Sequence, residues 1–214
     1  MRLSARLREL HQREEGFTLP ELIITVTIIG IIATSLTGVV ISYLKTTTDT
    51  QSRLTESHDV QFAAAYWQRD VASIGVRNYD PVNKSFDLQQ SVNVAAPAAC
   101  APAGTTPVVT LAWSEYTDLD STATPKTITV AYVTEPDAGG FNLIRVRCNG
   151  ATKDSELEVM HSLNAPPTVS CDVGCSGTGS SVPKVVEISV SVLDPDGGGT
   201  TALTATLSGE RRQT

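Results

Sequence analysis

Gly16-Phe17-Thr18-Leu19-Pro20-Glu21 opens directly onto LIITVTIIGIIATSLTGVVISYL, residues 22–44, a run of 23 residues without Asp, Glu, Lys or Arg. As a helix rising about 1.5 Å per residue it reaches roughly 34 Å, enough to cross a bilayer core of about 30 Å. A core helix of a soluble domain is usually shorter and keeps a polar face, so length and composition favour a membrane span. Glu21 stands at its start, where a plain anchor has no use for a charge. A carboxylate costs roughly 2.5–3.5 kcal/mol at a membrane centre and less near an interface, so it implies a partner.

Charge is distributed in three blocks. Residues 1–16 hold four Arg and three Glu, residues 17–44 hold Glu21 alone, and residues 45–214 hold 12 basic and 19 acidic side chains, giving the whole chain −7. Arg2, Arg6, Arg8 and Arg13 precede the span, and only Lys45 and Arg53 follow it closely. The positive-inside tendency then keeps the N-terminus in the cytoplasm and exports the acidic remainder. That acidity argues against a general nucleic-acid binder, which needs a basic footprint. With 41% hydrophobic and 18% charged residues, the chain is neither collagenous nor wholly disordered.

A cleavable secretory signal has a shorter apolar core, about 7–15 residues, ending in small residues. Thr34, Ser35 and Gly38 offer a weak site of that kind, but apolar sequence continues through Val39, Val40 and Ile41. A lipoprotein signal needs a Cys just after the apolar run, and the first Cys is Cys100.

The short charged leader ending in Gly16, the aromatic Phe17, Glu21 four residues beyond it and the uninterrupted apolar stretch together resemble the type IV prepilin-like family. This comprises pilins and the pseudopilins of type II secretion and related systems. The resemblance implies cleavage between Gly16 and Phe17 by a membrane prepilin peptidase and N-methylation of the new Phe17 amine. Glu21 would pair with the Phe17 ammonium of a neighbouring subunit during assembly. Physical reasoning agrees, because a buried carboxylate is tolerated when paired and cleavage creates the missing cation. Pro20 suits a helix start, where its absent N–H is an orphan anyway. Gly30 and Gly38 lower helix stability inside the span by about 1 kcal/mol each against Ala. Family members often carry helix breakers here; this chain has glycines but no internal proline, and close helix packing is the other reading.

From Lys45 to Ile74 there is no Gly or Pro, and Val60, Ala63, Ala64, Trp67, Val71 and Ile74 recur at helical spacing before Gly75 provides a stop. The spacing predicts one long helix whose second part packs on a head. The segment QFAAAYWQRDVASIG (61–75) resembles minor pilin-like subunits of the J or W type; Arg69 and Asp70 within it read as a solvated helix face. Residues 76–214 turn to period-two patterning. Val109, Leu111 and Trp113 share a face, as do Ile128, Val130 and Tyr132, Ile144 and Val146, Val186 to Val192 at alternate positions, and Leu203, Ala205 and Leu207. Glu135–Gly140 and Asp194–Gly199 read as hairpin loops, and 89–106 and 164–183 as irregular connections. The expected fold is α+β and pilin-like: a long N-terminal helix, membrane-spanning in its first half, packed against an antiparallel sheet. Its parts are a leader (1–16), an assembly helix (17–44), an amphipathic continuation (45–75) and a β-rich head (76–214).

Cys100, Cys148, Cys171 and Cys175 all fall in the exported part, and four cysteines in an oxidising compartment read as two disulfides with three connectivities. Cys100 with Cys148 and Cys171 with Cys175 is the favoured pairing, with zinc on the Cys171-x3-Cys175 pair as the alternative. Asp137, Asp194 and Asp196 offer oxygen ligands for calcium, but no EF-hand run is present and solvated turns are the simpler reading. His11, His58 and His161 accompany no catalytic motif, and Gly177-Thr178-Gly179-Ser180 lacks the strand–helix setting of a phosphate loop. No catalytic, cofactor or metal residue is therefore assigned. Glu210-Arg211-Arg212 reads as a frayed end.

The function expected is that of a structural, minor subunit of a type IV pilus or type II secretion-like pseudopilus. Its expected partners are the prepilin peptidase, other pilin or pseudopilin subunits, an inner-membrane assembly platform and, before assembly, membrane lipid; nucleic acid is not expected. The expected location is a single-pass cell-membrane protein whose head is extracellular or periplasmic in the filament. A pilus-associated binding subunit for adhesion or for DNA or substrate capture is the alternative, and a signal-anchored exported enzyme ranks third.

Overall fold

The computed structural model describes residues 16–80, 82–116, 125–192 and 203–212. The leader with its arginines and His11, and the Asp194–Gly199 loop with its two calcium candidates, lie outside the described residues. The chain forms two compact units, Met1–Gln51 and Ser52–Thr214.

In the first unit the helix α1 (Leu19–Ser73) begins. Leu22 N donates to Thr18 O at 3.1 Å, closing the first turn, and Glu21 within that turn complements the positive end of the helix dipole. The stretch Leu19–Thr48 is long and apolar enough to cross a membrane, and none of it is buried within the protein. Its threonine hydroxyls bond back to the helix backbone. Thr25 and Thr27 donate to the carbonyls of Glu21 and Ile23, and Thr37 to that of Ala33, four residues back. Such back-bonding lets hydroxyls sit in an apolar surrounding without an unpaired donor.

In the second unit the last turns of α1 lay Ala63, Trp67 and Val71, followed by Ile74, into the core, with Val60 and Ala64 packed at its margin. The helix ends at Ser73 and Gly75 redirects the chain. At φ +146°, Gly75 adopts backbone that favours glycine; its N–H donates to Ala112 O at 3.0 Å and its carbonyl accepts from Ser114 N at 3.2 Å. A hairpin of β1 (Val76–Asp80) and β2 (Ser85–Gln89) follows as a separate two-stranded sheet.

The main sheet comprises β3 (Val92–Val94), β4 (Thr106–Glu115), β5 (Lys126–Asp137), β6 (Gly140–Asn149), β7 (Thr152–Leu163), β8 (Thr168–Cys171), β9 (Val185–Val192) and β10 (Leu203–Glu210). Its order is β10-β9-β7-β6-β5-β4-β3, with β8 also beside β9, and all its ladders are antiparallel. The fold is α+β, an apolar N-terminal helix followed by an antiparallel β-rich head.

Several details depart from the periodicity. The loop predicted at Glu135–Gly140 is only Ala138–Gly139, because the β5–β6 ladder runs out to Asp137↔Gly140. Pro136 is accommodated beyond Thr134, the last β5 residue that β4 pairs, where its missing N–H breaks no ladder. The connections predicted at 89–106 and 164–183 contain β3 and β8. Leu163 pairs with Val192, Asn164 N donates to Ser191 O, and after Pro166 and Pro167 the ladder resumes at Thr168↔Ser189. Thus β7 and β8 occupy successive stretches of the same β9 edge.

The sheet buries both faces. Val109, Leu111, Trp113, Ile128, Val130 and Tyr132 join the helix in the larger core. Ile144 and Val146 share a face as predicted, but it is the opposite one, where they pack with Ala131, Val133 and Cys148 under Ala98, Cys100 and Ala101. The registers Tyr132↔Arg145 and Val130↔Arg147 therefore turn two arginines toward the helix side.

Candidate functional site

Gly16, Phe17 and Thr18 precede the first turn of α1, and Phe17 is 78% exposed. Among the described residues nothing lies within 4 Å of a Cβ built on Gly16, so none of them crowds the Gly16–Phe17 junction. Glu21 is exposed one turn further on, and its carboxylate makes no hydrogen bond or ion pair among the described residues. Beyond it Leu22, Ile23, Ile24, Val26, Ile28 and Ile29 are all more than half exposed. An apolar surface this long needs lipid or other helices around it. The three residues singled out for processing and assembly thus fall at one exposed helix start, whose carboxylate has no partner among the described residues.

The head holds its own polar centre, which the sequence reading missed. Asp70, predicted on a solvated helix face, is 1% exposed. Arg145 Nε donates to its Oδ2 at 2.6 Å and Arg145 Nη2 to its Oδ1 at 2.8 Å, while the Tyr132 hydroxyl donates to Oδ2 at 2.9 Å. Burial, then the charge of Asp70, push the Tyr132 phenol well above its ordinary pKa, so it stays a neutral donor. Burial works to lower the Arg145 pKa, but hydrogen bonding to Asp70 and the charge of Asp70 prevail and raise it. The Arg145 guanidinium also lies 5.2 Å from the Tyr66 ring centre. Arg69 is exposed, as predicted. The available signal was spacing: Asp70 follows Trp67 by three residues and lies on the buried stripe.

The C-terminal Glu210-Arg211-Arg212 is not a frayed end: Arg211 N donates to Lys184 O at 2.8 Å and Arg212 N to Ala72 O at 3.2 Å. Arg211 is buried, with Nε on Pro183 O at 3.2 Å and Nη1 without a partner among the described residues. Close packing demands Gly209, since a Cβ there would stand 2.6 Å from Val71 Cβ. Strand β7 was not predicted, because its burial is confined to Val159, Met160 and Leu163 with partial cover at Leu157.

Cys100 is bonded to Cys148 and Cys171 to Cys175. The first bond ties the 98–101 segment over the smaller apolar cluster; the second closes a short loop after β8. His161 is partly exposed, with Nδ1 2.9 Å from Asp59 Oδ2 on α1 and Nε2 3.6 Å from Glu158 Oε1. The bond to Asp59, then the charges of Glu158, Asp59 and Asp137, raise its pKa against the opposing effect of burial. Among the described residues no cluster of three or more His, Cys, Asp or Glu is arranged to hold a metal ion.

Residues 11–37 match the family described as the prokaryotic N-terminal methylation motif. The matched stretch contains the end of the leader, the Gly16–Phe17 junction, Glu21 and the first part of the apolar helix. No curated protein and no solved structure matches the chain.

Proposed function

We propose that this type IV prepilin-like protein is a structural subunit of a pilus or pseudopilus, cut between Gly16 and Phe17 by a prepilin peptidase, N-methylated at Phe17 and assembled through α1. The observation that carries the reading is the methylation motif at 11–37, set on a helix start whose Glu21 carboxylate has no partner among the described residues.

Before assembly the apolar part of α1 lies in the membrane as a single span, with the arginine-bearing leader on the cytoplasmic side and the head exported. Assembly transfers the span from lipid to a bundle of like helices. The new Phe17 ammonium of one subunit then meets Glu21 of the next, neutralising both charges where water is excluded and setting the axial register. An inner-membrane platform would drive the transfer. The resemblance of residues 61–75 to minor subunits supports a minor role. The two disulfides of the head suit an oxidising compartment.

Mass spectrometry of the mature protein from cells with active prepilin peptidase is the test. It should show an N-terminal N-methyl-Phe17. An intact Met1, or a cut near residue 38, overturns the proposal.

A further inference from the structure

The two edges of the main sheet are finished differently. Along β4, the short β3, Ala95 N bonded to Val108 O, and Gly75 bonded to Ala112 and Ser114 cover the edge in turn. On β3 itself, Gln90 Nε2 donates to Val92 O at 3.4 Å. At the other side β10 pairs with β9 without interruption from Leu203↔Val192 to Glu210↔Val185, and contains no Pro or Lys. A plain edge of this kind lacks the usual devices that discourage pairing.

Backbone hydrogen bonds show which peptide groups of β10 face outward. Arg211 N donates to Lys184 O, and these two residues continue the β9–β10 register. Bonded pairs alternate along an antiparallel ladder, so odd-numbered residues of β10 direct N–H and C=O toward β9 and even-numbered ones away. The bond from Arg212 N to Ala72 O, away from β9, obeys this parity. On β9, the carbonyls of Val185 and Ser191 accept from Asp172 and Asn164 on the β8 side, as the same alternation requires. Thr204, Thr206 and Ser208 therefore aim their peptide groups outward, and no hydrogen bond to those groups is made among the described residues.

Side chains on the adjoining solvent face define what would fit. Thr204, Thr206, Ser208 and Glu210 are exposed; Ser189 Oγ lies 3.2 Å from Thr206 Oγ1, and Glu187 stands opposite Ser208. Among the described residues, β9 and β10 offer hydroxyls and the carboxylates of Glu187 and Glu210 on this face, with the exposed Arg212 following Glu210 at the same parity beyond the strand end.

We propose that the Thr204–Ser208 edge of β10 is a docking site for an extended segment of another polypeptide, which adds as a further strand and places Lys or Arg beside Glu210 and, reaching across Ser208, toward Glu187. Main-chain bonds supply the attachment and the two carboxylates supply the selectivity. A second copy is a poorer occupant, because each chain carries −7 and edge-to-edge pairing about a twofold would bring like charges together. The inference does not depend on processing at Gly16.

The test uses the full chain in detergent micelles and a capped synthetic peptide alternating Val with Thr and Lys, at about 1 mM, with amide exchange read residue by residue. Exchange at Thr204, Thr206 and Ser208 should slow by about tenfold or more, and a peptide N-methylated at alternate amides should have no effect. Thr206→Pro, which removes an outward N–H, should keep the melting temperature and abolish the protection; Leu207→Pro should lower the melting temperature. Unchanged exchange with the peptide overturns the docking site. A melting loss in Thr206→Pro as large as in Leu207→Pro overturns the edge assignment, and protection that rises with the chain's own concentration replaces the foreign strand by a second copy.

Discussion

Asp70 on α1 and Arg145 on β6 form a two-pronged ion pair inside the head, Nε to Oδ2 at 2.6 Å and Nη2 to Oδ1 at 2.8 Å, with both side chains nearly inaccessible. The pair joins residues 75 positions apart and fixes the angular setting of the last turns of α1 over β5 and β6. Buried pairs of this kind contribute little net stability against apolar replacements, but leaving one partner alone is costly.

Asp70→Ala should therefore destabilise the head by about 3–5 kcal/mol, because Arg145 is left charged and buried. Tyr132→Phe should cost about 1–2 kcal/mol through the lost hydrogen bond to Asp70. The double change Asp70→Leu with Arg145→Met should recover most of the loss. Denaturant unfolding of the full chain in detergent, followed by head tryptophan fluorescence, measures all three; a double variant as unstable as Asp70→Ala would contradict this account.

His161 should make head stability depend on pH. Its folded pKa is raised above 6.5, first by the bond to Asp59. The folded state therefore binds the proton more tightly than the unfolded state does. The contribution is fully present below about pH 6.5 and is lost as pH rises through the folded value. Melting temperatures between pH 5 and 8 should show this fall in the native chain, and a flatter profile in His161→Ala. Because the ring is more than half exposed, solvent screening keeps the effect small.

Glu21→Ala should leave the head's melting temperature unchanged and block incorporation into filaments. Glu21 belongs to the first unit, Met1–Gln51, whereas the head core is built within Ser52–Thr214, and in the proposed assembly it acts only across subunits. Fractionation of sheared filaments against membranes reads the outcome; normal incorporation would remove the pairing mechanism while leaving the processing claim to its own test.

The two disulfides should differ in worth. Cys100–Cys148 closes a separation of 48 residues and Cys171–Cys175 one of 4, so loop-closure entropy predicts about 4 kcal/mol for the first and about 2 kcal/mol for the second. Paired Cys→Ser variants compared by chemical denaturation test this order. A larger loss at Cys171–Cys175 would show that the 171–175 loop, rather than chain entropy, governs the effect.

What could be read along the chain were properties of contiguous residues set against their surroundings. The Gly16–Phe17 junction, the misplaced charge of Glu21 and the apolar run to Leu44 need no partner strand to be recognised, since the bilayer is the solvent they are measured against. Trp67, Val71 and Ile74 were legible for the same reason, through helical spacing alone. Tertiary structure decided the rest, where the outcome depends on which strand lies opposite. Strand β7 is mostly polar and becomes a strand because β6 pairs with it from Thr152 to Leu163, with β9 meeting it only at Leu163. The C-terminal Arg211 is buried because β10 carries it past Lys184 to the end of α1. Asp70 and Arg145 look like surface charges in sequence, and only the Tyr132↔Arg145 register brings them together. Pairing across such distances is non-local: spacing from Trp67 marks Asp70 as lying on the buried stripe, but no local pattern names Arg145 as its partner.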